Sequence, residues 1–199
     1  MKVIGITGGI GGGKSVVMDM LEKRYGVKTI IADRLGHKAM EKGCDTYRKM
    51  VEAFGRGILR DDGEIDRRKL SEVLFSDEAK LCKQNAIVHP FVRNEIDRQL
   101  NEWESGKEAV AAIESAILIE AGCGERCDEI WFVTAESEVR IKRLMQARGY
   151  TRNMAENFIR RQKSDAEYGK ICDRILYNNG DVENLYKQLE KGIEHLMSV

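Results

Sequence analysis

Gly8-Gly9-Ile10-Gly11-Gly12-Gly13-Lys14-Ser15 is the stretch that decides how the chain is read. Its spacing is G-x-x-x-x-G-K-[ST], with Gly8, Gly13, Lys14 and Ser15 at the fixed places. Ahead of it, Val3-Ile4-Gly5-Ile6 is an apolar run that predicts a buried strand. Behind it, Val16 to Arg24 has helical composition, with Val17 and Leu21 on an apolar stripe. The motif therefore stands between a strand and a helix start, where its chemistry needs it. Glycines let the backbone bend tightly enough to aim successive N–H groups at a phosphate, and the helix N-terminus adds a positive dipole end. Gly8, Gly11, Gly12, Gly13, Lys14, Ser15, Val16 and Val17 are the expected nucleotide-binding positions. Lys14 is placed to reach the β- and γ-phosphates, and Ser15 to ligate Mg²⁺. A glycine-rich turn with a chance lysine is the bland alternative, and the flanking pattern argues against it.

The 199 residues carry 33 Lys and Arg against 33 Asp and Glu, a formal net charge of zero. That balance excludes a dominant nucleic-acid or membrane-surface role, both of which need a basic face. Apolar runs are short and interrupted, so no transmembrane span is expected. The chain enters a strand without a signal-peptide pattern, which points to the cytoplasm. Cys44, Cys82, Cys123, Cys127 and Cys172 form an odd set without metal-ligand spacing, which suits reduced cytosolic thiols. Pro90 is the single proline, so long helices are expected.

Further along, Gly26 reads as the cap of the first helix, and Lys28 to Ala32 as a second short strand. Asp33 stands at its carboxyl end, the edge where open α/β sheets bind ligands. A carboxylate there is a candidate base for a hydroxyl nucleophile; an N-cap for the next helix is the structural alternative. Arg34 to Phe54 reads as helical, with Leu35, Met40, Met50, Val51 and Phe54 as candidate core. Gly55 to Gly63 reads as a loop. Leu70, Val73, Leu74 and Phe75 form the apolar positions of another helix, and Ser76 caps the next, which carries Ala79 and Leu81. Ile87 to Val92 opens a longer helix toward Trp103, with Pro90 near its first turn. This span is too long for one crossover helix and reads as a helical insertion that closes over a substrate. Strands follow at Ala109–Ile113, Glu129–Thr134 and Arg174–Tyr177. Helices follow at Glu136 to Arg148, Thr151 to Lys163, and Val182 to Leu196, the last with a core stripe at Leu185, Leu189, Ile193 and Leu196. Strands alternating with helices predict a parallel sheet flanked by helices.

The arginines between strands four and five are the second chemical signal. Positive charge on a helical hairpin able to swing over a nucleotide stabilises phosphoryl transfer and excludes water. Salt bridges to Glu136, Glu138 and Glu156 on a solvated face are the alternative. Glu114 and Glu120 suit outer contacts to Mg²⁺ or the capping of a sheet edge. His89 suits a helix-start cap or a substrate contact; His37 and His195 have no partner that the sequence names.

These residues together resemble the dephospho-coenzyme A kinase family over nearly the whole chain. The opening Gly5 to Val16 is similar to its G-L-T-G-G-I-G-S-G-K-S-T, and Ile31-Ala32-Asp33 to its D-A-D. Asp62-Gly63-Glu64-Ile65-Asp66-Arg67 with Leu70 and Phe75 resembles its D-G-x-I-D-R…L…F run, and His89-Pro90 its H-P pair. Arg140 to Leu144 with Arg148, Arg161-Gln162, and Asn178-Asn179-Gly180 resemble its R-x-x-R-L…R, R-x-Q and N-x-G segments. The phosphate loop is shared by many kinases; its combination with D-G-x-I-D-R and H-P is far more specific. The resemblance implies transfer of the ATP γ-phosphate to the ribose 3′-hydroxyl of dephospho-coenzyme A, with Asp33 as general base. It implies Lys14 and Arg140 on the transferring group, Asn178 or Asn179 near the adenine, and His89, Arg93, Glu120 and Arg161 among the acceptor contacts. The chain departs from the family at Gly12 for serine, Val16 for threonine, Ile31 for the first Asp of D-A-D, and Glu114 to Glu120 for D-x-P-L-L-F-E.

The expected architecture is thus an α/β, three-layer P-loop kinase fold with a five-stranded parallel sheet, a helical substrate-binding insertion and a helical lid. Residues 1–33, 107–138 and 172–199 form the expected nucleotide-binding core, 34–106 the acceptor-binding insertion and 139–171 the lid. The expected partners are ATP, Mg²⁺ and a small-molecule acceptor, without nucleic acid or membrane, in a monomer or weak homo-oligomer. Another P-loop small-molecule kinase, or a nucleotide-sensing module that transfers nothing, remains the alternative; the chain lacks the N-K-x-D guanine signature of many such switches.

Overall fold

The computed structural model describes residues 1–75, 77–119 and 121–198. The chain divides into two units, Met1–Ile30 with Trp103–Val199, and Ile31–Glu102.

The first unit is built on a five-stranded parallel sheet in the order β2-β3-β1-β4-β5. Its strands are β1 (Lys2–Thr7), β2 (Lys28–Ile31), β3 (Val110–Glu114), β4 (Glu129–Thr134) and β5 (Arg174–Tyr177). In register, Ile4 lies against Ala112 on one side and Glu129 on the other, and Phe132 against Ile175. The buried face collects Ile4, Ile6, Trp131, Val133 and Leu176. Against them pack Val17 and Leu21 of α1 (Lys14–Tyr25), and Leu185, Leu189 and Leu196 of α9 (Val182–Ser198). Each such aliphatic side chain contributes about 1.5–3 kcal/mol on leaving water. Gly192 lets α9 approach the sheet: a Cβ there would lie 2.6 Å from Cη2 of the fully buried Trp131. Helices α6 (Ser137–Arg148), α7 (Arg152–Arg160) and α8 (Asp165–Tyr168) lie between β4 and β5 in the chain. Thr151 caps α7 through Met154 N–H, and Gly149 ends α6 with φ near 65°.

The second unit holds α2 (Ala32–Ala39), α3 (Asp45–Phe54), α4 (Arg67–Phe75) and most of α5 (Glu78–Ser105). Several readings of this region need correction. The helical pattern from Arg34 to Phe54 is broken at residues 40–44, where Gly43 takes φ 102°. Of its candidate core residues only Met50 is buried; Leu35, Met40, Val51 and Phe54 are half-buried. A small unit has too little interior to cover every apolar side chain. The Gly55–Gly63 loop contains a 3-10 turn, Arg56–Ile58, and an antiparallel bridge joins Leu59 to Ile65. Pro90 lies inside α5 rather than near its start. The helix loses one N–H there but persists, because Val88, Val92, Ile96 and Leu100 form one continuous buried i, i+4 stripe. Ser76, assigned as a cap, lies outside the described residues.

Candidate active site

The phosphate loop links β1 to α1. Gly13, at φ 100°, closes it; its carbonyl accepts from the N–H groups of Val16 and Val17 at 3.0 and 3.3 Å, and Gly12 N–H donates to Gly9 O at 3.2 Å. The loop's carbonyls are held by side chains. Lys14 Nζ donates to Gly8 O at 2.9 Å. Arg140 Nε donates to Ile10 O at 2.9 Å. Arg143 Nη1 donates to Gly11 O and Gly12 O at 3.2 and 3.4 Å, and Asn178 Nδ2 to Gly12 O at 3.1 Å. Carbonyls engaged in this way leave amides to face an anion. Among the described residues, the N–H groups of Gly11, Gly13 and Ser15 donate to no protein acceptor. Together with the N-terminal end of α1 they make an arrangement that could hold a polyphosphate.

The family resemblance implies Asn178 or Asn179 near the adenine, and the sequence pattern makes Arg143 one of a cluster. In the structure Asn178 is buried against the loop, and its O and Oδ1 accept from Arg143 Nη2 at 2.9 and 3.3 Å. Arg140 and Arg143 lie three residues apart on α6, the spacing that put them on one helical face. Burial pushes both guanidinium pKa values down; for Arg140 the negative charge of Asp165 partly offsets it. Asp165 is itself held by Thr134 Oγ1 at 3.0 Å, an interaction no sequence pattern announced. Gln162 bridges Arg140 and the loop, accepting at Oε1 from Arg140 Nη2 at 2.6 Å and Ile10 N–H at 3.0 Å.

Lys14 also lies 3.8 Å from Oε1 of Glu114, which is 8% exposed at the end of β3. Ser15, next in the chain, is exposed, so its hydroxyl could ligate a cation. No group of three or more His, Cys, Asp or Glu that could hold a metal occurs among the described residues. Val16 is exposed, whereas the Val17 side chain is wholly buried in the core, so only its backbone belongs to the loop. Other residues of the arginine cluster take the structural reading: Arg152 pairs with Glu138 and, at 2.9 Å, with Glu156. Arg161 is exposed at the end of α7. Burial pushes the Cys127 thiol up to about 12, so it is no nucleophile at neutral pH.

In the second unit, Asp33 is an exposed residue in the first turn of α2. Ile31, not Asp33, occupies the N-cap position, and no side chain caps that helix, so the capping alternative for Asp33 falls away. His89 is half-buried on α5, and burial followed by the charge of Arg93 lowers its pKa. Arg93 is exposed four residues further on. Glu120 lies outside the described residues.

A glycine loop at the end of a central parallel strand, braced by helix arginines, defines a P-loop kinase. A family model for dephospho-CoA kinase matches residues 2–184. The dephospho-CoA kinase of Geobacter sulfurreducens is 38% identical over 191 residues, covering 96% of each chain. A Thermus thermophilus protein of known crystal structure superposes with a TM-score of 0.81 at 32% identity, over 98% of this chain and 97% of that one. Shikimate kinase from Bacteroides thetaiotaomicron shares the fold alone, with a TM-score of 0.55 at 13% identity, over 100% and 99%. The chain belongs to the dephospho-CoA kinase family.

Proposed function

We infer that the chain transfers the γ-phosphate of ATP to the ribose 3′-hydroxyl of dephospho-coenzyme A, giving coenzyme A and ADP in the last step of coenzyme A synthesis. The observation that carries the reading is the braced phosphate loop in a chain of this family. It supports the loop amides and Lys14 as the grip on the β- and γ-phosphates, with Glu114 holding Lys14 beside the loop. Arg140 has committed Nε and part of Nη2 to the protein, and its other N–H donors are left for the transferring group.

On this reading Asp33 takes the proton as the 3′-oxygen forms its bond to the γ-phosphorus. The bond from that phosphorus to the β–γ bridging oxygen breaks, and ADP leaves. Ser15 would hold Mg²⁺, which would supply positive charge to the triphosphate. His89, Arg93, Glu120 and Arg161 are proposed acceptor contacts, and Asn178 is proposed beside the adenine while it holds Gly12. Residues 34–106 are proposed as the acceptor-binding insertion and 139–171 as the lid on a core of 1–33, 107–138 and 172–199. The reading includes a cytoplasmic enzyme acting as a monomer or weak homo-oligomer.

The test is ADP release by the purified chain with MgATP and a set of acceptors: dephospho-coenzyme A, adenosine, shikimate and gluconate. ADP formation that depends on dephospho-coenzyme A alone is expected. Equal release with another alcohol would make the chain a P-loop kinase of different specificity, and release independent of every acceptor would reject acceptor phosphorylation.

A further inference from the structure

The Ile10 residue of the phosphate loop is clamped from both of its peptide groups. Its N–H donates to Gln162 Oε1 at 3.0 Å, and its carbonyl accepts from Arg140 Nε at 2.9 Å. The clamp is closed by a third bond, Arg140 Nη2 to Gln162 Oε1 at 2.6 Å. One amide oxygen thus joins the loop to the guanidinium that the proposed reaction uses. Gln162 is in turn held by its backbone, whose N–H donates to Ile159 O at 3.1 Å beyond the end of α7.

The space around Gly9 is shaped by two of these groups, the Arg140 guanidinium and the Gln162 amide. A Cβ on Gly9 would lie 2.3 Å from Arg140 Nη2 and 2.7 Å from Gln162 Oε1. A side chain at position 9 would push these two side-chain ends apart, so the clamp favours glycine there independently of any phosphate. The motif spacing itself leaves that position open.

We propose that Gln162 is a positioning residue for phosphoryl transfer: its side-chain oxygen sets the guanidinium plane of Arg140 and the Ile10 peptide in one arrangement before nucleotide arrives. The inference rests on the kinase reading above. A guanidinium held by one bond to Ile10 O can rotate about that contact; a second, charge-assisted bond at Nη2 fixes its plane. A preset donor loses no reorganisation energy as charge develops on the transferring group. The effect belongs to turnover more than to acceptor binding, because the two donors that Gln162 Oε1 holds are Ile10 N–H of the phosphate loop and Nη2 of Arg140.

Four proteins test this: the natural chain, Gln162→Leu, Gln162→Glu and Gly9→Ala. Leucine keeps the bulk and removes the acceptor, whereas glutamate still accepts from both donors. In Gln162→Leu, exchange of the Ile10 amide with solvent deuterium, followed by NMR, should speed up about tenfold or more, and kcat should fall about 10–100-fold. KM for dephospho-coenzyme A should stay within about twofold, since uniform binding is unaffected. Gln162→Glu should restore Ile10 protection and most of kcat. Gly9→Ala should reproduce the leucine phenotype by a different route. Unchanged exchange or unchanged kcat in Gln162→Leu overturns the proposal. So does a glutamate variant no better than leucine, which would mean that Gln162 only fills space. If the natural chain phosphorylates no acceptor, the kinase reading fails, while the exchange measurement still decides whether the clamp exists.

Discussion

Replacing Arg143 by methionine is the most informative perturbation of the loop. Methionine keeps much of the aliphatic volume and removes every donor. The guanidinium donates to three backbone carbonyls, Asn178 O at 2.9 Å, Gly11 O at 3.2 Å and Gly12 O at 3.4 Å, and the Nη2 that holds Asn178 O also reaches Asn178 Oδ1 at 3.3 Å. A hydrogen bond from a charged donor is worth about 1.5–3 kcal/mol, but here two of the three are long and the site is half-open to water. Gly12 O also keeps Asn178 Nδ2 at 3.1 Å. The net loss is therefore about 2–3 kcal/mol rather than the sum of three full bonds. For a chain of this size each kcal/mol lowers Tm by about 2–4 °C, so thermal unfolding should shift down by about 4–12 °C. The loosened carbonyls also release the amides from their aim, and KM for ATP should rise about tenfold, equivalent to about 1.4 kcal/mol. Arg143→Lys should recover less than half of either loss, because a single ammonium cannot span three carbonyls. Calorimetry and an ADP-coupled assay read both quantities. A methionine variant with the natural Tm and KM for ATP would refute the claim that side chains aim the loop.

The remaining predictions address other parts of the chain. Asp33→Asn should leave KM for ATP within about twofold while kcat falls about 10²–10⁴-fold, the range for loss of a general base; an unchanged kcat in steady-state assays would remove Asp33 from that role. Gly192→Ala should destabilise the first unit, since the added methyl would meet Trp131 at 2.6 Å. Overpacking of about 1–3 kcal/mol, less about 1 kcal/mol gained in helix propensity, should lower Tm by several degrees without changing kcat per folded molecule at 25 °C. His89 makes stability pH-dependent. Its folded pKa lies below the ordinary 6.5 because of burial and then Arg93, so on acidification the unfolded chain takes up a proton that the folded chain resists. Stability present above pH 6.5 should be lost as pH falls through the lowered value, and His89→Gln should flatten that loss in unfolding scans between pH 7.5 and 5.5; parallel curves would contradict it.

What was legible in the sequence is local. The glycine spacing with its apolar flanks located β1, the loop and α1, and the short runs at Glu129–Thr134 and Arg174–Tyr177 match β4 and β5 residue for residue. Gly26 and Gly149 ended helices where expected, because a left-handed residue stops the hydrogen-bond ladder at once. The misses come from interactions remote in sequence. Pro90 looked like a helix start, yet packing along α5 overrode its local cost. A cap was only the structural alternative for Asp33, and α2 begins one residue before it, at Ala32. Arg140 and Arg143 were visible as charge, while their targets, the carbonyls of residues 10–12, lie about 130 positions away in the chain. Gln162 carried no signal of its own beyond the R-x-Q likeness, since a lone glutamine fits any surface helix end. Contact partners across such separations are set by topology, which periodicity does not encode.

The central claim is tested most directly by following one reaction by ³¹P NMR. The natural chain is mixed with MgATP and dephospho-coenzyme A, and the phosphorus resonances are tracked to completion. The account predicts a new monoester resonance on the ribose 3′-oxygen that grows in step with ADP, one for one. ADP appearing with free phosphate, or a monoester at any other oxygen, would contradict it.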